Sequence, residues 1–234
     1  MRQAVFTIVL LVALSTQAFG QNMQNTENPG YYRSPGFLAA SAGTIYYQGS
    51  TSSPGEIRPF VFGMFNLFQS EYGNIALSAG ALFSSPTMKT NYATLAGQDI
   101  SARIKGTHYT AEIGINYITG SDTINFWIGG GYNYSFLESK LKNVKNESGS
   151  PSSYSQNYSQ NVTGMHYYLG LEYILTKNGK WGMFFLFRVQ ETDRAQHKLD
   201  TNINFADGTT ATVNTQKGMC LSNKSYMFGL TYHF

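Results

Sequence analysis

The stretch Ser225-Tyr226-Met227-Phe228-Gly229-Leu230-Thr231-Tyr232-His233-Phe234 decides how this 234-residue chain is read. Tyr226, Phe228, Leu230, Tyr232 and Phe234 fall on every second position, with smaller or more polar residues between them. A β-strand turns alternate side chains to opposite faces, so one face here is wholly apolar and aromatic. In water such a strand would template aggregation. In lipid, where a closed barrel satisfies every backbone hydrogen bond internally, the same face is what the solvent requires. A soluble β-sandwich is the competing reading of this one strand.

Composition points the same way. Charged residues are 12% of the chain, against about 25% in ordinary soluble domains. Aromatics reach 15%, with 17 Tyr and 16 Phe, and there are 24 Gly. Few charges with many Tyr, Phe and Gly suit a barrel with aromatic girdles. The net charge of +3 is small and scattered, and gives no ground for a nucleic-acid partner. The single Cys, Cys220, excludes an intrachain disulfide and is read as a packing residue.

Residues 1–20 read as a cleaved secretory signal. Arg2 supplies the charged start, residues 4–14 an apolar run too short to span a bilayer, and Ala18 and Gly20 the small residues before a cut. Residues 21–35 are polar and Pro-punctuated, a periplasmic lead-in, and residues 36–234 form the barrel. Past the signal no apolar run approaches the ~20 residues of a spanning helix, so a membrane location requires strands.

Eight strands are expected, at about 37–47, 58–68, 75–84, 105–118, 123–137, 162–175, 181–190 and 218–234. The connections alternate: 69–74, 119–122 and 176–180 are short, the last with the Asn178-Gly179 hairpin signal. The connections 85–104, 138–161 and 191–217 are long and polar, and are expected to be loops. Sorting short turns to one end and long loops to the other is the layout of a membrane barrel, and a sandwich has no reason for it. The fold class expected is therefore all-β, an eight-stranded antiparallel up-and-down transmembrane β-barrel. Both parities of 58–68 are apolar, Phe60, Phe62 and Met64 against Val61, Phe65 and Leu67; a bulge or an apolar lumen patch would explain that.

With its signal, strand count, alternating loops and terminal aromatic strand, the chain resembles the small eight-stranded outer-membrane barrels of the OmpA/OmpX type. The resemblance is architectural and no loop motif narrows it. It implies a bacterial outer-membrane location among lipid and lipopolysaccharide. It also implies that Tyr226, Phe228, Leu230, Tyr232 and Phe234 form the signal read by the barrel-insertion machinery. OmpA proteins carry a peptidoglycan-binding domain after the barrel; none is expected here.

If the apolar parity faces lipid, the other parity fills the lumen with His108, Glu112, Asn116, Trp127, Asn133, His166, Tyr168, Glu172, Arg188, Thr231 and His233. An eight-stranded barrel has room only for side chains inside, and charges there must be paired. Glu112 and Arg188 stand at similar heights above their turns and Glu172 somewhat lower. These three, with His108 on the same face, are the expected lumen polar network. A gated ion path is the functional alternative.

No catalytic, cofactor or metal site is expected, and the chain is read as a non-enzyme. His108 and Glu112 share a strand face at a spacing that would suit a metal or acid–base pair, but the lumen network explains them more cheaply. Glu191, Asp193 and His197 cluster at the outer rim, and are read as solvated loop charge. The run Gly129-Gly130-Gly131 is read as relief of crowding. The leading functional expectation is a structural and surface-interaction protein, binding an extracellular ligand or surface through its loops. A narrow pore or a route for small hydrophobic molecules is the alternative. An outer-leaflet lipid-modifying or proteolytic enzyme is the third reading.

Overall fold

The computed structural model describes residues 34–49, 51–52, 57–70, 72–121 and 123–234. The expected signal segment, 1–20, and all but the end of the lead-in lie outside them. The described strands are β1 (Gly36–Tyr47), β2 (Thr51–Ser52), β3 (Ile57–Gln69), β4 (Asn74–Ser84), β5 (Thr87–Ala93) and β6 (Asp99–Gly120). They continue with β7 (Ile124–Lys145), β8 (Gln156–Ile174), β9 (Trp181–Thr192), β10 (Arg194–Asn204), β11 (Thr210–Cys220) and β12 (Asn223–His233).

Strands β1, β3, β4, β6, β7, β8, β9 and β12 pair in that order. The circle closes where β12 meets β1, in unbroken register from Phe37↔His233 to Tyr47↔Asn223. This is an eight-stranded up-and-down antiparallel barrel. Its outer wall is the apolar parity of each strand. On β12 the row Tyr226, Phe228, Leu230 and Tyr232 is turned outward, Phe228 at 57% exposure, while Ser225, Met227, Thr231 and His233 are buried. On β6 the row Ile113, Ile115 and Tyr117 is likewise exposed and Glu112 and Asn116 are not. Exposed rings and aliphatics in every barrel strand, at a period of two, make a belt that only a hydrocarbon solvent tolerates.

The ambiguous strand resolves into both expected explanations. Phe60, Phe62 and Met64 of β3 point inward beside Phe37 and Ala39 of β1, an apolar lumen patch. Between Asn66 and Phe68 the β3–β4 register shifts, so Leu67 and Phe68 both face outward. A bulge puts consecutive residues on one face.

The long connections are not loops, which corrects the expectation for 85–104, 138–161 and 191–217. β6 and β7 each run 22 residues; crossing a bilayer takes roughly 9–11. β5 pairs with the first residues of β6, and β10 and β11 form a hairpin. A bulge at Asn143 (φ 56°) bends the outer end of β7, where Ser101↔Lys145 and Arg103↔Lys142 flank the shift. Asn is among the few non-glycine residues that accept that backbone. The last barrel strand begins at Asn223, since 218–220 belong to β11. Cys220 therefore lies on β11, half-buried, and not on the barrel wall.

These extensions have a core of their own. Met88, Tyr92, Ile100, Ile104, Leu137, Leu141, Val144, Leu199, Ile203, Val213, Met219 and Leu221 are buried together, separate from the apolar cluster in the barrel. Inward positions at a period of two carry these side chains, and the polar residues between them face water. A water-facing β head thus stands on the barrel.

Candidate functional site

The lumen is filled in layers. Nearest the short turns, Glu172 of β8 is enclosed by Asn125, whose Nδ2 donates at 3.0 Å, by the hydroxyl of Thr231, and by His233, whose Nε2 lies 2.7 Å away. Gly182 makes this packing possible, because a Cβ there would lie 2.7 Å from Glu172 Oε1. Beside it is a cavity of about 30 Å³, lined in part by Asn66, Asn74 and Phe37.

Above Glu172 comes an aromatic layer. Phe37 stacks on Trp127 at 5.0 Å between centroids, Phe60 on Phe62 at 5.1 Å, and Phe184 meets Phe62 edge-on at 5.5 Å. Phe60, Trp127, Phe184 and Leu186 are fully buried. Rings at these distances are in close contact within the lumen.

The third layer is polar. Arg188 Nε donates to Glu112 Oε1 at 2.9 Å and its Nη2 donates to the same oxygen. The Tyr168 hydroxyl donates to the other carboxylate oxygen. Arg188 Nη1 reaches Asn223 Oδ1 at 3.1 Å, Nη2 reaches Gln190 Oε1 at 2.5 Å, and the guanidinium lies over Phe60. Gln190 continues to Ser135 at 3.3 Å, Ser135 to Thr110 at 3.0 Å, and Thr110 to His108 Nε2 at 3.1 Å. His108 Nδ1 lies 3.2 Å from Ser84 and 3.1 Å from Tyr47. One hydrogen-bonded chain thus crosses the barrel from Tyr47 to Glu112, and every charge in it has a partner.

Of the four residues expected in the lumen network, the structure brings Glu112, Arg188 and His108 together and sets Glu172 apart. On the β8–β9 ladder Glu172 stands opposite Phe184, and Tyr168 opposite Arg188 four rungs higher, roughly 13 Å along the strand. The count from the Asn178-Gly179 turn misjudged this because residues 175–180 lie outside the ladder and added apparent height to Glu172. His108 and Glu112 do not face one another as a metal or acid–base pair; each is engaged elsewhere. Among the described residues no group of three or more His, Cys, Asp and Glu side chains is placed to hold a metal. Gly129 makes room for Asn116, since a Cβ there would fall 2.5 Å from Asn116 Cγ.

This eight-stranded barrel fold has counterparts among solved structures. OprG of Pseudomonas aeruginosa is 14% identical over 87% of this chain and 98% of its own, with a TM-score of 0.51. A major outer membrane protein of Thermus thermophilus is 14% identical over 85% and 98%, with a TM-score of 0.50. The chain has the fold of the small bacterial outer-membrane β-barrels. No protein-family model matches it, and no curated protein matches it in sequence. In an outer-membrane barrel the short turns lie on the periplasmic side and the long connections outside. The head is built from the long connections.

The head strands are tied to one another. Leu95 N donates to Thr212 O at 2.9 Å, and Thr94 bridges Val213, joining the β5–β6 hairpin to β11. Gln160 of β8 hydrogen-bonds both backbone groups of Gln196 on β10. At the tip, Asn146 Nδ2 donates to Asp207 Oδ2 at 2.7 Å, and Ala206 N to Pro151 O at 3.0 Å. Hydrogen bonds from Thr209 and Asn146 hold the Asp207 carboxyl below its ordinary pKa.

His197 is a correction. It is not solvated rim charge, for it is fully buried on β10, 2.8 Å from Ser139 Oγ and edge-on to Tyr158 at 4.7 Å. Burial pushes its pKa down to about 4, so the ring is neutral. Glu191 and Asp193, expected beside it, are exposed. The alternation of Ala195, His197, Leu199 and Ile203 is the signal that places His197 inside. Burial also drives the Tyr92 hydroxyl well above its ordinary pKa and Tyr158 up to about 12.

Proposed function

We propose that this chain is a sealed outer-membrane anchor whose extracellular head is a rigid platform for surface interaction, in adhesion or ligand binding. The observation that carries this is the head itself. Strands β5, β10 and β11, with the outer ends of β6, β7 and β8, enclose a separate apolar core above the lipid belt. A pore needs only short or flexible loops, and a buried core in the connections fixes their shape. A scaffold that holds exposed Tyr, Ser and Asn side chains in place lowers the ordering cost of a contact. The outward row Ser155, Asn157, Ser159, Asn161 and Thr163, leading into and along β8, is exposed and polar, and is the face that reading favours.

A conducting route has less support. Its one argument in the sequence was the apolar ambiguity of the first two expected strands, and there Phe62 of β3 packs against Trp127 and Phe184 and Phe37 of β1 stacks on Trp127.

The test pairs two measurements on the refolded barrel. Planar-bilayer recordings are expected to show no single-channel steps. Cells displaying the wild-type barrel are expected to adhere to immobilised host-matrix and glycan surfaces more than cells displaying a variant with 194–220 replaced by a short Gly-Ser turn. Regular conductance steps, with adhesion unchanged by the replacement, would overturn the proposal.

A further inference from the structure

The outer wall of the head carries cations in rows. On the β5–β6–β7 sheet, Lys89 stands opposite Arg103 and Arg103 opposite Lys142. One rung toward the membrane on the same face, Lys105 stands opposite Lys140, and at the outer end Lys145 stands opposite Ser101. Among the described residues none of these six cations reaches a carboxylate at ion-pair distance. Like charges opposite one another on a sheet repel, yet the ladder fixes three abreast. Lys89, Arg103 and Lys145 also line an open groove of about 820 Å³, with Lys217 of β11 on its margin and no acidic residue in its wall.

Their position selects the anion. On β6 the outward face is the odd-numbered residues: Tyr117, Ile115 and Ile113 in the belt, then Tyr109, Thr107, Lys105 and Arg103. On β7 the even-numbered row runs from Phe126 and Ile128 through Tyr134 and Phe136 to Glu138, Lys140 and Lys142. The cations thus continue the column of side chains that touches acyl chains. Phe83, Tyr109 and Phe136 stand abreast as the last aromatic row. Lys105 and Lys140 are four residues beyond it, roughly 13 Å along the strand and about 10 Å in height at the usual barrel tilt. Lysine side chains lean toward a charged boundary, and that height is the headgroup layer. The surface faces sideways, along the membrane, where a soluble ligand has the poorest access and a lipid headgroup the best.

We infer that Lys89, Arg103, Lys105, Lys140 and Lys142 bind the phosphate groups of an anionic outer-leaflet glycolipid, with its sugars in the adjoining groove. The lipid chains lie on the belt below, and the bound phosphates offset the repulsion within the rows. The site needs only the barrel's orientation and is independent of the adhesive role.

The test uses the full barrel reconstituted in phosphatidylcholine bilayers containing a minor fraction of diphosphoryl lipid A. The lipid A retained per barrel after mild detergent extraction is measured. The wild type is expected to retain it in a salt-sensitive way. The variant Arg103→Gln/Lys105→Gln/Lys140→Gln/Lys142→Gln is expected to lose about fivefold in affinity per charge removed, roughly 600-fold in all. Lys105→Arg/Lys140→Arg/Lys142→Arg keeps the charges and is expected to retain the lipid. Lys177→Gln/Lys180→Gln, at the opposite end, is expected to behave as wild type. The gel mobility of unboiled samples confirms that each variant is folded. Equal retention by the wild type and the four-Gln variant would overturn the inference. So would wild-type protein that ignores lipid A but captures soluble inorganic polyphosphate through the same residues.

Discussion

Replacing Arg188 by Met tests the lumen most directly. Arg188 is fully buried and makes two hydrogen bonds to Glu112, one to Asn223 and one to Gln190. Methionine fills similar space but leaves the Glu112 carboxylate with the Tyr168 hydroxyl as its remaining partner. A charge-assisted hydrogen bond contributes about 1.5–3 kcal/mol, and a buried charge stripped of its partner costs about 3–5 kcal/mol. We expect Arg188→Met to lose about 3–5 kcal/mol. Adding Glu112→Gln removes the stranded charge and keeps a hydrogen bond to Tyr168, so the double variant is expected to recover most of that loss. The assay is urea unfolding of the barrel in lipid vesicles, followed by the fluorescence of Trp127 and Trp181, with the gel shift between boiled and unboiled samples as a second probe. A single variant within about 1 kcal/mol of wild type, or a double variant as unstable as the single, would refute the claim that a desolvated ion pair holds this layer.

Phe62→Ala is expected to cost about 3–5 kcal/mol, by opening a cavity between Phe37, Phe60, Trp127 and Phe184, and the same unfolding assay measures it. A loss below about 1 kcal/mol would mean the aromatic layer is loosely packed. His197 makes the head sensitive to acid. Its folded pKa of about 4 lies below the unfolded value near 6.5, so its contribution is complete above pH 6.5 and falls away toward pH 4, by up to about 3 kcal/mol. Limited proteolysis within 194–220 is expected to quicken over that range in the wild type and to lose its pH dependence in His197→Leu/Ser139→Ala. Deleting Phe234 is expected to weaken the faster-running unboiled band, since the last residue packs against Gly36 as the barrel closes. An unchanged band would remove its role in assembly.

What was legible in the chain depends on which solvent each strand meets. A strand in lipid must be apolar on one face without exception, so Tyr226 to Phe234 and Ile113 to Tyr117 announce themselves, and the expected barrel strands match the observed ones closely at their short-turn ends, whereas β6, β7 and β8 run well past the expected bounds at their outer ends. In the head, water covers the outer face and the inner face tolerates small or polar residues, so the contrast fades. On β10 the inward positions are Ala195, His197, Leu199 and Ile203 with Thr201 among them, and the outward ones are Gln, Lys, Asp and Asn. Such alternation within Ser- and Asn-rich sequence looks like a loop until β11 is laid beside it. The lumen network was legible where rungs fix it, as with Glu112 and Arg188, whereas the height of Glu172 required the ladder. The cationic rows could not be seen at all. Lys89, Arg103 and Lys142 are far apart in sequence, and only the pairing of β5 and β7 with an overlong β6 brings them abreast; the bulge at Asn143 then turns Lys145 to the same face. The head is thus ordinary aqueous β-structure continued from a membrane barrel. The change of solvent falls between Tyr109 and Lys105, where the odd-numbered side chains of β6 turn from aromatic to cationic.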